Sequence, residues 1–152
     1  MLAFTIELVT HDWPRFDDVL DLSYDILYGP FGVEREGDWY HPANGSVFAV
    51  ALDEKSGLAG TARLLPDTGD GTRQVRQVVV RPELRRCGIG HALMHALERR
   101  AAADGATSLT LHAREEAIGF YERMGYKPEG TIYVSELTGI AHRTMRKQLD
   151  KV

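Results

Sequence analysis

The chain of 152 residues has one cysteine, Cys87, so no disulfide can close within it and its stability does not depend on an oxidising compartment. Long apolar runs are missing too. No stretch approaches the ~18 consecutive apolar residues of a membrane-spanning helix, and the opening Met1-Leu2-Ala3-Phe4-Thr5-Ile6-Glu7 has neither the basic nor the apolar segment of a secretion leader. Basic residues are outnumbered, with 18 Lys and Arg against 22 Asp and Glu and a net charge of -4. That balance excludes a broad phosphate-neutralising surface and leaves room only for a local anion site. Internal repeats and low-complexity tracts are also absent. The expectation is a cytoplasmic protein with no nucleic-acid and no membrane partner.

What is present suits a single domain over residues 1–152, with 43% hydrophobic and 26% charged residues. Phe4 to Val9 reads as a strand, and apolar Phe16, Val19, Leu20, Leu22, Ile26 and Leu27 follow Pro14 at helical spacing. Gly29 to Gly45 reads as an irregular connection. Ser46 to Asp53 and Leu58 to Leu65 flank Lys55-Ser56-Gly57 as an antiparallel hairpin, and Gln74 to Val80 is a third strand of the same sheet. From Gly90 to Ala103, Leu93, Met94, Leu97 and Ala101 form a helical stripe, with His91, His95, Glu98 and Arg99 expected largely on the solvated side. Ser108 to Ala113 is a strand, Ala117 to Met124 a short helix, and Lys127 to Tyr133 and Ala141 to Leu149 are two last strands. The order implies an α+β fold: a mixed, mostly antiparallel sheet of six or seven strands flanked by helices, with a right-handed β-α-β crossover in its second half.

The chemistry concentrates where the Val78-Val79-Val80 strand runs through Arg81-Pro82-Glu83-Leu84 into Arg85-Arg86-Cys87-Gly88-Ile89-Gly90-His91 and a helix N-terminus. Gly88 and Gly90 permit positive φ and close backbone approach. The amides of the first helical turn point one way, the helix dipole adds partial positive charge, and Arg85 and Arg86 add full charges. Such a turn suits a phosphate.

Arg85, Gly88 and Gly90 match the R/Q-x-x-G-x-G/A pattern and thereby resemble the GNAT family of acyltransferases. Ala117-Ile118-Gly119-Phe120-Tyr121-Glu122-Arg123-Met124-Gly125-Tyr126 resembles that family's A-x-x-F-Y-x-x-x-G-F/Y segment, and Gly139-Ile140-Ala141-His142-Arg143-Thr144-Met145 resembles the ending of its ElaA-like branch. The likeness covers most of the chain from Ser46 onward. Arg114 stands where the family usually has Asn, so that residue's contacts are not carried over.

The resemblance implies an acetyl-CoA-dependent N-acetyltransferase without a metal, taking a primary amine as acceptor, and a homodimer is one assembly open to the chain. It places the pyrophosphate on Arg85, Arg86, Cys87, Gly88, Ile89, Gly90 and His91, and the pantetheine amides along Val78, Val79 and Val80. It makes Tyr121 the donor that protonates the departing thiolate, a phenol near ~10 facing a thiol near ~8.5, and it makes the Val79 or Val80 amide the oxyanion donor. For the general base, Gln77 occupies the place where some members carry a carboxylate. His142, Glu136, Glu34 and Asp38 remain as candidates. Glu34, Glu36 and Asp38 could also attract a cationic amine.

Other readings are open to these residues. Cys87 has no recognisable His partner for a nucleophile's role, and His91 and His95 have a zinc pair's spacing without the Glu of H-E-x-x-H. Gly88 and Gly90 begin a dinucleotide fingerprint, but Leu93 replaces its third glycine; no G-K-[ST] is present. The alternative from another class is a GNAT-like module that binds acyl-CoA without turnover.

Overall fold

A computed structural model describes residues 3–35, 45–55 and 57–150. Asp38, with Glu36, Trp39 and Tyr40, lies outside them. The described residues form one sheet of seven strands, β1 (Phe4–Val9), β2 (Val47–Asp53), β3 (Leu58–Leu64), β4 (Thr72–Val80), β5 (Ser108–Arg114), β6 (Lys127–Val134) and β7 (Ala141–Gln148). Their spatial order is β1-β2-β3-β4-β5-β7-β6, with β4 and β5 parallel and every other pair antiparallel. The expected mixed, mostly antiparallel sheet is therefore the one that forms. The final strand lies inside the penultimate one because β7 carries Met145, fully buried, while all of β6 is exposed. The strand with the apolar anchor takes the interior place.

Helix α1 (Phe16–Ser23) covers one face of β2 to β4, burying Phe16, Val19 and Leu22 against Phe48, Val50 and Val79. It runs on into a π-helical turn at Tyr24–Tyr28 and a 3-10 turn at Gly29–Phe31, so part of the stretch read as irregular is helical. Helix α2 (Ile89–Ala103) covers the other face, where Ile89, Leu93, Met94, Leu97 and Ala101 meet Ala49, Ala62, Leu64, Val75 and Leu109. α2 lies close on Gly60: a Cβ there would stand 2.8 Å from the Val79 carbonyl and 3.2 Å from both Ile89 and Leu93. Helix α3 (Ile118–Arg123) follows β5 and packs on the same side.

Glu98 is not on the solvated side of α2. It is buried, and its carboxylate accepts the Tyr126 hydroxyl at 2.7 Å and Lys147 Nζ at 3.0 Å. The helical stripe is wider than its apolar members because β7 brings a lysine to meet it. Burial, then the Glu98 charge, pushes the Tyr126 phenol far above its ordinary value. Glu98→Ala leaves a hydroxyl and a partly buried ammonium without their acceptor, so a loss of about 3–5 kcal/mol in unfolding free energy is expected in urea denaturation; a loss below ~1 kcal/mol would show that the network contributes little.

Candidate active site

The site begins with a parting of strands. β4 pairs with β5 only from Thr72↔Ser108 to Gln74↔Thr110. Beyond that, β4 stays on β3 as far as Gly60↔Val80, while β5 stays on β7 as far as Arg114↔His142. The register of β4 on β3 slips between Thr61 and Arg63, and within that slip Gln77 has φ 54°. A bulge of this kind bends its strand away from a neighbour. Gln77 Nε2 donates to the Tyr28 hydroxyl at 3.3 Å, tying the bulge to the helical segment above it.

The direction of the β4 amides follows from one bond. The Arg81 amide donates to the Ala59 carbonyl at 2.9 Å, so Arg81 faces β3. By antiparallel alternation Val79 faces β3 as well, and the N–H and C=O of Val78 and Val80 face the open edge. Of the two amides proposed for an oxyanion, only that of Val80 is so directed. The Val78 and Val80 side chains pack toward α2 while Val79 is buried under α1.

The edge leads into the glycine turn. Pro82–Leu84 form a 3-10 turn, Arg85 is extended, Arg86 has φ 64° and Gly88, the residue capping α2, has φ 84°. The first helical bond runs from the Ala92 amide to the Gly88 carbonyl at 3.0 Å, so the amides of Ile89, Gly90 and His91 are the helix's first-turn donors. Arg85, Arg86, Cys87 and Gly88 are exposed around them, whereas Ile89 anchors the turn in the core. Of the two glycines only Gly88 uses positive φ, and nothing lies within 4 Å of where its Cβ would be. Gly90 is helical; its Cβ would stand 3.3 Å from Phe120 and 3.8 Å from Val80. The open edge and the uncrowded, donor-rich turn fit a ligand with amides at one end and a pyrophosphate at the other.

Phe120 places α3 against the start of α2, and with it Tyr121. Tyr121 is 7% exposed, edge-on to Phe120 and Tyr126 at 5.0 and 5.8 Å between ring centroids. Burial holds its phenol well above the ordinary value, so the side chain carries its proton throughout the neutral range.

The opposite face of the parted strands carries the candidate base His142 together with Arg114, and beside them His112, which the sequence did not single out. His142 lies opposite both Arg114 and Tyr133, stacks on Tyr133 at 5.9 Å, and has Nδ1 2.9 Å from the Ile140 carbonyl. Donation from Nδ1 to that carbonyl leaves Nε2 as the acceptor. His112 stands edge-on to Tyr133 at 5.6 Å; burial, then Arg76 and His142, holds its imidazole below the ordinary value. Arg114 reaches the Leu27 carbonyl at 3.4 Å and lies over the Phe31 ring, so it ties β5 to the helical segment that leans on β4. Only the sheet order brings these groups together, and periodicity along the chain carries no sign of it. Glu136 is exposed in the turn between β6 and β7, and Glu34 is exposed beyond the Gly29–Phe31 turn. Cys87 Sγ makes one long contact, 3.7 Å to the Arg85 carbonyl. His91 and His95 stack with ring centroids 6.5 Å apart, and among the described residues no group of three His, Cys, Asp or Glu is placed to hold a metal.

Residues 13–126 match the model of the acetyltransferase (GNAT) family. The uncharacterized N-acetyltransferase YjcF of Bacillus subtilis is 36% identical over 114 residues, covering 74% of this chain and 79% of that protein. Escherichia coli ElaA has the same fold with a TM-score of 0.79 at 18% identity, over 97% of this chain and 99% of its own. An aminoglycoside 6'-N-acetyltransferase complexed with coenzyme A gives 0.77 at 20% identity, over 97% and 98%. The bulged strand, the glycine turn and α3 all fall within the matched span, and the chain belongs to the GNAT family of acetyltransferases.

Proposed function

We propose that the protein transfers the acetyl group of acetyl-CoA to an amine by direct attack within a ternary complex. The observation that supports this most is the parting of β4 from β5 beside the N-terminus of α2. Acetyl-CoA supplies a thioester whose carbonyl carbon accepts the amine nitrogen. As the C–N bond forms and the C–S bond breaks, the Val80 amide donates to the oxygen that gains charge, the amine gives up a proton, and Tyr121 returns one to the sulfur. Val78 and Val80 hold the amide-bearing arm along the open edge. Arg85, Arg86 and the amides from Gly88 to His91 hold the pyrophosphate, with Cys87 a passive member of the turn.

Among the three candidates in the described residues, His142, Glu136 and Glu34, His142 is the base this arrangement supports best. It stands on the sheet face opposite Tyr121, so proton removal and proton delivery come from opposite sides, and its Nδ1 contact orients Nε2 as the acceptor. His142→Gln is expected to lower kcat by roughly 10²-fold with acetyl-CoA affinity unchanged; an unaltered kcat passes the role to another group. The reaction class is tested by thiol release across a panel of primary amines. Acetyl-CoA binding by calorimetry with no release from any amine would instead establish a binding module.

A further inference from the structure

Arg63 and Arg76 are directly opposed on β3 and β4, so their side chains leave the same face of the sheet. That face is the one turned away from α2, since their neighbours Leu64 and Val75 are buried against α2. Like charges so placed repel, and Arg63 is only 3% exposed. Its guanidinium lies over the Phe48 ring and donates to Ser46 Oγ at 3.2 Å, a neutral partner. Among the described residues neither arginine has a carboxylate partner. Arg146 on the same face shows the usual arrangement: it bonds Glu129, Thr72 and Ser108. Beside the pair, Gln74 Nε2 is buried without an acceptor. A buried cation, an exposed cation next to it and an orphaned donor call for an anion.

We infer that Arg76, backed by the buried charge of Arg63, binds a carboxylate on the acceptor, making the acceptor an amine that also carries an acid group. Arg76 is exposed and makes the contact, while Arg63 strengthens the field from behind it. The distance limits the ligand further. Arg76 precedes Val78 and Val80 by two and four residues, about 7 and 13 Å along a strand at ~3.3 Å per residue. The carboxylate and the reacting nitrogen are thus separated by a short chain, as in an ω-amino acid. The inference deepens the amine-transfer reading, on which it rests for the position of the reacting nitrogen.

The test is calorimetric titration of the CoA-saturated protein with aminohexanoate and with hexylamine, which share the amine and chain and differ in the carboxylate. Aminohexanoate is expected to bind at least about tenfold more tightly. Arg76→Gln, at an exposed position where the fold survives, is expected to abolish that preference while hexylamine and CoA affinities stay the same. Equal affinity of the two ligands, no detectable binding of either, or a preference that survives Arg76→Gln would each overturn the inference. Because binding is read rather than turnover, a protein that prefers aminohexanoate yet acetylates nothing would refute the transfer reaction and leave the carboxylate site standing.

Discussion

Tyr121→Phe is expected to lower turnover by about two to four orders of magnitude while leaving acetyl-CoA affinity and stability close to those of the parent protein. The ring stays, so the edge contacts with Phe120 and Tyr126 stay, and only the proton donor is removed. Burial raises the phenol, which keeps the donor protonated at every ordinary assay pH. The sign of the pH dependence follows: with the phenol above its ordinary value of ~10, Tyr121 contributes no fall in kcat as the pH rises from neutral to that point. Steady-state kinetics across pH, with calorimetry for acetyl-CoA, decide the matter. Unchanged turnover in the variant would remove Tyr121 from the acid role, and so would an alkaline limb near neutrality that disappears in the variant.

Gly88→Val is expected to act on the other half of the reaction. At φ 84° a β-branched residue carries backbone strain of about 1–3 kcal/mol, which will appear as a modest loss of thermal stability. Among the described residues no atom lies within 4 Å of the Cβ position, so the Cβ itself meets no neighbour in the protein. The space it enters lies outside the first-turn amides of α2, where the proposed reaction puts the pyrophosphate. Acetyl-CoA affinity should therefore fall by roughly a hundredfold or more, with the effect in KM for acetyl-CoA rather than in kcat at saturation. Gly88→Ala separates the causes, because it shares the strain but adds only one carbon. Parent-like acetyl-CoA affinity in the valine variant would place the pyrophosphate elsewhere.

Much of this protein was legible along the chain because the relevant signals are local. Positive φ at Gly88 is a property of one residue, the stripe from Leu93 to Ala101 a property of helical period, and the order of strands and helices followed from turn residues and alternation. The glycine turn was legible for the same reason, since it is a short run whose chemistry is contained within it, whereas the Phe120-Tyr121 segment was legible through its resemblance to the family's motif. The position of β7 between β5 and β6 was not, because it depends on which strand offers an apolar anchor to a core built from distant residues. Glu98 could not be placed for the same reason: its partners Tyr126 and Lys147 lie 28 and 49 residues away.

The site divides along the same line. Residue type and spacing alone settled that a basic, glycine-bearing turn opens α2. Tertiary structure decided that a bulge at Gln77 parts β4 from β5, that Val78 and Val80 rather than Val79 face the gap, and that His142, Arg63 and Arg76 share its far side. Those facts are matters of register between strands, and register is set by the packing of the whole sheet rather than by any one strand's sequence.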